Sequence, residues 1–208
     1  MIINNSKYPI SDKNYIQIET IKKQIVIGHI SENEKNNFAK WTNRLNGNYT
    51  KTAPFTINKK GNVYKHFDPI YCSNILGNND LDKKSIVILL ENDGWLIKDF
   101  EKNKYINWIG YIYNKPEEIV EKKWRNYFYW APYTNEQFNS TLELVNKLCE
   151  DFYIPKVAIS HNTKIDDLDN FSGILYKSNL EKHFTDLSPA WDFEMFKYKL
   201  ENNEKKFN

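Results

Sequence analysis

The run Ser85-Ile86-Val87-Ile88-Leu89-Leu90 constrains this chain more than any other stretch. It has the length of a strand, and nothing polar follows Ser85, so neither face of such a strand can be left to water. A strand buried on both faces needs a packed layer on each side, which means a sheet with helices across it. Ile25-Val26-Ile27-Gly28 is a second buried β-branched run. His29 stands at its C-terminal end, where an open α/β sheet presents its chemistry.

The rest of the pattern supplies helices and turns. Ser31 and Glu34 read as a capping box that opens a helix to about Leu45, closed by Gly47 and Asn48. Phe55-Thr56-Ile57 and Val63-Tyr64 read as a hairpin with Gly61 in its turn. Asn92-Asp93-Gly94 turns the chain into Trp95-Leu96-Ile97. From Thr134 to Phe152, Phe138, Leu142, Val145, Cys149 and Phe152 recur at helical spacing, with Thr134 and Gln137 as the capping box. Ile154 to Ile159 reads as a further strand, Trp191 to Leu200 as a terminal amphipathic helix, and 201–208 as a frayed polar tail. There are no repeats and no linker. The expectation is one α/β domain over residues 1–208, a central mixed β-sheet flanked by helices, with its core at about 22–200 and with 1–21 and 201–208 peripheral.

Composition excludes some partners. The net charge is +2, with Lys and Glu interspersed, so no nucleic-acid partner is expected. Cys72 and Cys149 lack metal-ligand spacing and read as reduced core thiols. Met1 to Ile21 has no apolar core, and no run approaches the ~18–20 residues of a membrane span. Cytoplasmic synthesis without a signal peptide is the expectation. Between Tyr105 and Tyr133 aromatics are dense, and Trp108, Trp124 and Trp130 stand among Lys and Arg. Such residues either line a sugar-binding groove or build the core and its rim.

Four further stretches carry a resemblance. Phe184-Thr185-Asp186-Leu187-Ser188-Pro189-Ala190-Trp191-Asp192-Phe193 places a Thr-Asp pair before a Pro, a small residue and an aromatic-Asp-aromatic helix start. Ile25 to Ser31 is an apolar run, then His, then a small hydroxyl residue. Asn107 to Gly110 and Trp124 to Thr134 form an aromatic block, and Gly173-Ile174-Leu175-Tyr176-Lys177-Ser178-Asn179 precedes the Thr-Asp stretch. Together, from about Ile25 to Leu200, the chain resembles zinc-dependent N-acetylmuramoyl-L-alanine amidases, in a phage-type or Bacteroidetes-type branch. The resemblance implies that fold, a peptidoglycan substrate, and zinc held by His29 and Asp186 where the site is intact. The alternatives are a structural His at a strand end and an Asp that caps the following helix. A catalytic zinc takes about three protein ligands and keeps a position for water. A carboxylate base and an oxyanion donor complete such a site.

Against that family pattern, four positions depart. Lys177 stands where the resemblance places the second ligand His, and a protonated Lys cannot coordinate zinc. Leu89 stands where typical members carry a catalytic Glu, Ile75 where this branch often has His, and Phe184 where a Lys usually assists the oxyanion. His161 is a substitute third ligand if the insertion 164–171 loops out; otherwise it is a surface or hydrogen-bonded His. His183 reads as solvated and His66 as structural. Three functions remain open: a zinc-free pseudo-amidase that binds a peptidoglycan fragment or a protein partner, an active zinc amidase using His29, Asp186 and His161, and a phage structural or anti-host protein reusing the scaffold. For a wall target, the chain is phage-encoded or delivered by another route. In the dead site, Lys177 is expected to pair with Asp186 in place of the metal. The sequence does not fix the oligomeric state.

Overall fold

A computed structural model describes residues 1–31, 33–165 and 167–202. The first half of the chain contains β1 (Ile3–Asn4), β2 (Gln24–Ile30), α1 (Glu34–Asn43), β3 (Phe55–Ile57), β4 (Val63–Lys65), α2 (Asn79–Lys84) and β5 (Ser85–Glu91). Five short strands follow: β6 (Trp95–Asp99), β7 (Lys104–Asn107), β8 (Ile112–Tyr113), β9 (Val120–Trp124) and β10 (Tyr127–Trp130). The chain ends with α3 (Asn135–Phe152), β11 (Gly173–Tyr176), α4 (Lys177–Leu180) and α5 (Phe193–Asn202).

The main sheet has the order β1-β4-β3-β5-β2-β11. β11, β2, β5 and β3 run parallel, and β4 is antiparallel to β3. β5 is therefore interior, as its unbroken apolar run requires. Alternate side chains divide the core into two layers. Ile25, Ile27, Ile86, Ile88, Leu90, Ile174 and Tyr176 pack with α3 and α5. Val26, Val87, Leu89 and Leu175 pack on the other face with Trp41 of α1 and Leu81 of α2. Each such fully buried aliphatic side chain contributes about 1.5–3 kcal/mol relative to exposure.

Several local expectations hold. The β3–β4 hairpin, the turn at Gly94 and the Thr134/Gln137 capping box of α3 are present, and both cysteines are buried and free. Others are corrected. Ser31 does not cap α1: the cap is Asn33, whose side chain accepts from the Asn36 N–H, and the helix ends at Asn43 rather than Leu45. The side chain of Glu34 lies outside the described residues, as does the tail from 203. Residues 154–159 form no strand. Pro155 has no N–H to give, and the segment reaches β11 only through an isolated bridge from Ala158 to Ile174. The last helix begins at Phe193, and its first turn is capped by Asp192, which accepts from the Met195 N–H.

Residues 95–130 build a second sheet that the sequence reading does not separate. It is antiparallel, in the order β8-β7-β6-β10-β9. Its strands are two to five residues long, too short for a clear period-two signal.

The N-terminal segment, expected to be peripheral, is tied into the main sheet. β1 pairs with β4, and the buried Asn14 amide donates to the carbonyls of Trp41, Gly47 and Tyr49. His66 fastens the same segment. Its Nδ1 lies 2.8 Å from the Tyr8 carbonyl, which can only accept, so the ring proton sits there. Nε2 then accepts from the Thr56 hydroxyl at 2.8 Å. The structural role read for His66 is what the contacts show.

Burial lowers the His66 pKa to about 4, against 6.5 for the free side chain. A native state that keeps the ring neutral binds fewer protons than the unfolded chain, so this contribution is complete above pH 6.5. It is lost as pH falls from 6.5 toward 4. Between about pH 7.5 and pH 4.5, urea unfolding should show the parent losing about 2 kcal/mol more than His66→Gln. Equal losses in the two proteins would contradict this linkage.

Candidate functional site

The carboxyl ends of the four parallel strands meet at one place. β2 brings Gly28 and His29 there, β5 sets Leu89 opposite Gly28, and Lys177 is the first residue after β11. The loop from α4 to α5 returns Asp186 over the strand ends. A cavity of ≈ 350 Å³ opens at this point, with His29, Ser31, Trp95, Trp108, Lys177 and Asp186 in its wall.

Asp186 is the centre of the group. Its Oδ2 lies 3.6 Å from Lys177 Nζ, an ion pair whose side chains are 18% and 10% exposed. The same oxygen accepts from the His29 N–H at 3.3 Å, and the Asp186 carbonyl accepts from the Ser178 N–H. The ion pair expected from the sequence is present. Lys177 Nζ also stands 4.5 Å from the centre of the Phe184 ring, a cation–π contact. Two of the departures from the family pattern thus touch each other.

Gly28 leaves the room for this pairing. A Cβ there would lie 3.1 Å from Asp186 Oδ2 and 3.3 Å from both Leu89 Cδ2 and Lys177 Cδ. A glycine inside an apolar strand signals such a close approach, a signal the sequence reading left unused at Gly28. Gly94 does the same on the other side, where φ is +72° and a Cβ would meet His29 Nε2 at 3.1 Å. Leu89 is buried in the core layer beneath, and the half-buried Ile75 packs against that layer while its N–H donates to Asp82.

His29 is held neutral. Burial lowers its pKa, and the Lys177 charge adds to this, while Asp186 and Asp93 oppose it. Its Nδ1 is buried without a hydrogen-bond partner. Trp108, half exposed, closes one wall by donating its indole N–H to Ser31 Oγ at 2.6 Å, which gives Ser31 a role other than capping.

The remaining candidates are dispersed. His161 does not line this cavity: it stacks on Phe193 at 4.2 Å and lies 4.6 Å from Trp124, and burial lowers its pKa to about 4 with Lys122 and Arg125 adding to the effect. Trp124 is half-buried beside it, its indole N–H bonded to Asn162. Trp130 is fully buried and donates to the Lys122 carbonyl, so as a groove residue it is corrected: it has no face to offer a ligand. His183, read as merely solvated, is exposed but stands in the cavity wall. Among the described residues, no group of three His, Cys, Asp or Glu side chains is placed to hold a metal ion. Two donors, one of them paired to an ammonium, do not fit a catalytic zinc.

Charge compensation at Asp186 is open to measurement. With both partners largely shielded, removing one leaves the other uncompensated. The Lys177→Met/Asp186→Asn double variant should cost about 1–2 kcal/mol less than the sum of the single variants in chemical denaturation. Simple additivity would mean that the pair contributes nothing.

Comparison with known proteins agrees with this fold. The family model for N-acetylmuramoyl-L-alanine amidase matches residues 19–170, a stretch that holds His29 and Leu89 and ends before Lys177 and Asp186. No curated protein matches the chain. Among solved structures, the N-acetylmuramoyl-L-alanine amidase LysC from Clostridium intestinale URNW is 16% identical over 97% of this chain and 98% of its own, with a TM-score of 0.53. The E. coli amidase AmiD, in complex with the substrate anhydro-N-acetylmuramic acid-L-Ala-D-gamma-Glu-L-Lys, is 13% identical over 93% of this chain and 66% of its own, with a TM-score of 0.55. The ectodomain complex of peptidoglycan recognition proteins LCa and LCx, bound to tracheal cytotoxin, gives 9% identity over 95% of each chain and a TM-score of 0.52. At such identities the structures establish the fold, and the family match covers most of the chain. The mixed sheet with His29 at its carboxyl edge is accordingly that of the N-acetylmuramoyl-L-alanine amidase family, to which this chain belongs.

Proposed function

We propose that this chain is a catalytically impaired amidase, a zinc-free module that binds a peptidoglycan fragment in the cavity beside His29. The observation that carries the reading is the Lys177–Asp186 ion pair. An ammonium 3.6 Å from the carboxylate neutralises it and repels a divalent cation from the same position. Leu89 removes a carboxylate base, and Phe184 turns its ring to Lys177 in place of an oxyanion donor. What remains suits binding. Trp108 and Trp95 stand in the cavity wall, and indole faces stack on the C–H faces of sugar rings. The muropeptide complex of AmiD and the tracheal cytotoxin complex of the recognition proteins are precedents for such ligands on this fold.

An active zinc amidase is the second reading. It is favoured by the unpartnered ring nitrogens of His29 and His161, both buried. It requires His161 to leave its place between Trp124 and Phe193, and Lys177 to leave Asp186.

One experiment separates the two. Protein purified without chelator and then incubated with zinc is measured by elemental analysis, and is mixed with purified sacculi. The proposed function expects well under one zinc per chain, co-sedimentation with sacculi, weaker retention of Trp108→Ala, and no release of L-Ala amino termini. About one zinc per chain with released amino termini would replace it by the second reading.

A further inference from the structure

Next to the His29 cavity lies a larger one, of ≈ 690 Å³, walled by Arg125, by Asn162 and Thr163, and by the stretch from Ser178 to His183. In its wall the cationic side chains of Arg125 and Lys182 stand against one acid, Glu181. Arg125, in the turn between β9 and β10, donates Nη2 to the Ser178 carbonyl at 2.9 Å and Nη1 to the Glu181 carbonyl at 3.3 Å. Its guanidinium carbon stands 4.3 Å from the centre of the Trp124 ring. Both acceptors are neutral carbonyls, so the Asp186 charge acts on the guanidinium only through space, and a guanidinium has five N–H groups in all. Lys182 makes no ion pair among the described residues, and Glu181 is the single acid in the wall.

A second observation is independent of the charges. Ser178 is 4% exposed, and its hydroxyl is buried without a hydrogen-bond partner although the residue lines the cavity. A buried hydroxyl in that state calls for an acceptor. The Thr163 hydroxyl and the Asn162 amide add neutral donors to the same wall. A guanidinium, an ammonium and hydroxyls around a roomy cavity match a tetrahedral anion. Phosphate offers three or more strong acceptor oxygens in different directions, whereas a carboxylate offers two in one plane.

We propose that this cavity is a phosphate-binding site, seating a phosphomonoester or phosphodiester group between Arg125, Ser178 and Lys182. The cavity adjoins the one at His29, with His183 in both walls, but Arg125, Ser178 and Lys182 line only the larger of the two. Its charge is local, and for that reason a net charge of +2 over the chain gave no sign of it.

The full chain is titrated with inorganic phosphate, followed by the backbone amide shifts of Thr163, Ser178 and Lys182. Glycerol 3-phosphate and glycerophosphoglycerol are then titrated as the monoester and the diester, with sodium acetate at matched ionic strength. Saturable phosphate binding is expected, roughly fivefold weaker in Ser178→Ala and in Lys182→Gln. Both variants should unfold at the parent temperature without phosphate, and Lys182→Gln should keep the parent's retention on sacculi. Binding of the monoester alone would assign a small phosphorylated molecule, and binding of the diester a phosphate-linked polymer. Unchanged affinity in Ser178→Ala, or acetate competing as well as phosphate, would overturn the proposal.

Discussion

The parallel pairing of β2 with β5 is the constraint on which the site depends. Seven residue pairs run from Gln24–Ser85 to Ile30–Glu91. Both strands are interior, so a slip of one residue would move every side chain to the opposite core layer. In the observed register Gly28 faces Leu89, and the space left by the missing Cβ admits Asp186 and the Lys177 stem. The burial that stabilises the sheet therefore also sets the position of the ion pair. Without that register, a carboxylate could not be brought down on the strand ends beside His29.

The positions that depart from the family pattern form a physically consistent group. Lys177 neutralises Asp186, the Phe184 ring receives the same ammonium, and Leu89 packs where a charged side chain would need a partner. Each replacement is compatible with the others. A Glu at 89 would lie in an apolar layer, and a Lys at 184 would add a second cation beside Lys177. Local consistency of this kind is what a stable arrangement shows.

Much of this was legible in the sequence, and the reasons differ by element. β5, β2 and α3 could be read because burial on both faces or along one stripe leaves a periodic signal. His29 and Asp186 were read from the resemblance to the amidase family, and the Lys177–Asp186 pairing from that resemblance together with their opposite charges. The second sheet was not legible, because β6 to β10 are only two to five residues long. Ser31 resembled a cap because a hydroxyl three residues before a Glu has two uses; its bond to Trp108 depends on a contact 77 residues away in sequence. Trp130 looked like a groove residue, yet composition alone does not say which indole turns inward. The Ser178 hydroxyl and the Arg125 clamp arise only when the turn between β9 and β10 meets the loop after β11.

That meeting explains how one loop serves two sites. Residues 177–186 carry Lys177 and Asp186 on the side facing β2, and Ser178 and Lys182 on the side facing Arg125. Arg125 holds the loop through two backbone carbonyls, and Asp186 holds it through the Ser178 N–H. Backbone contacts of this kind fix the path of the loop without depending on which side chains it bears. Side chains on one side can then change while the other side keeps its shape. The side chain at 177 therefore need not affect the cavity under Arg125, because main-chain contacts hold the loop there.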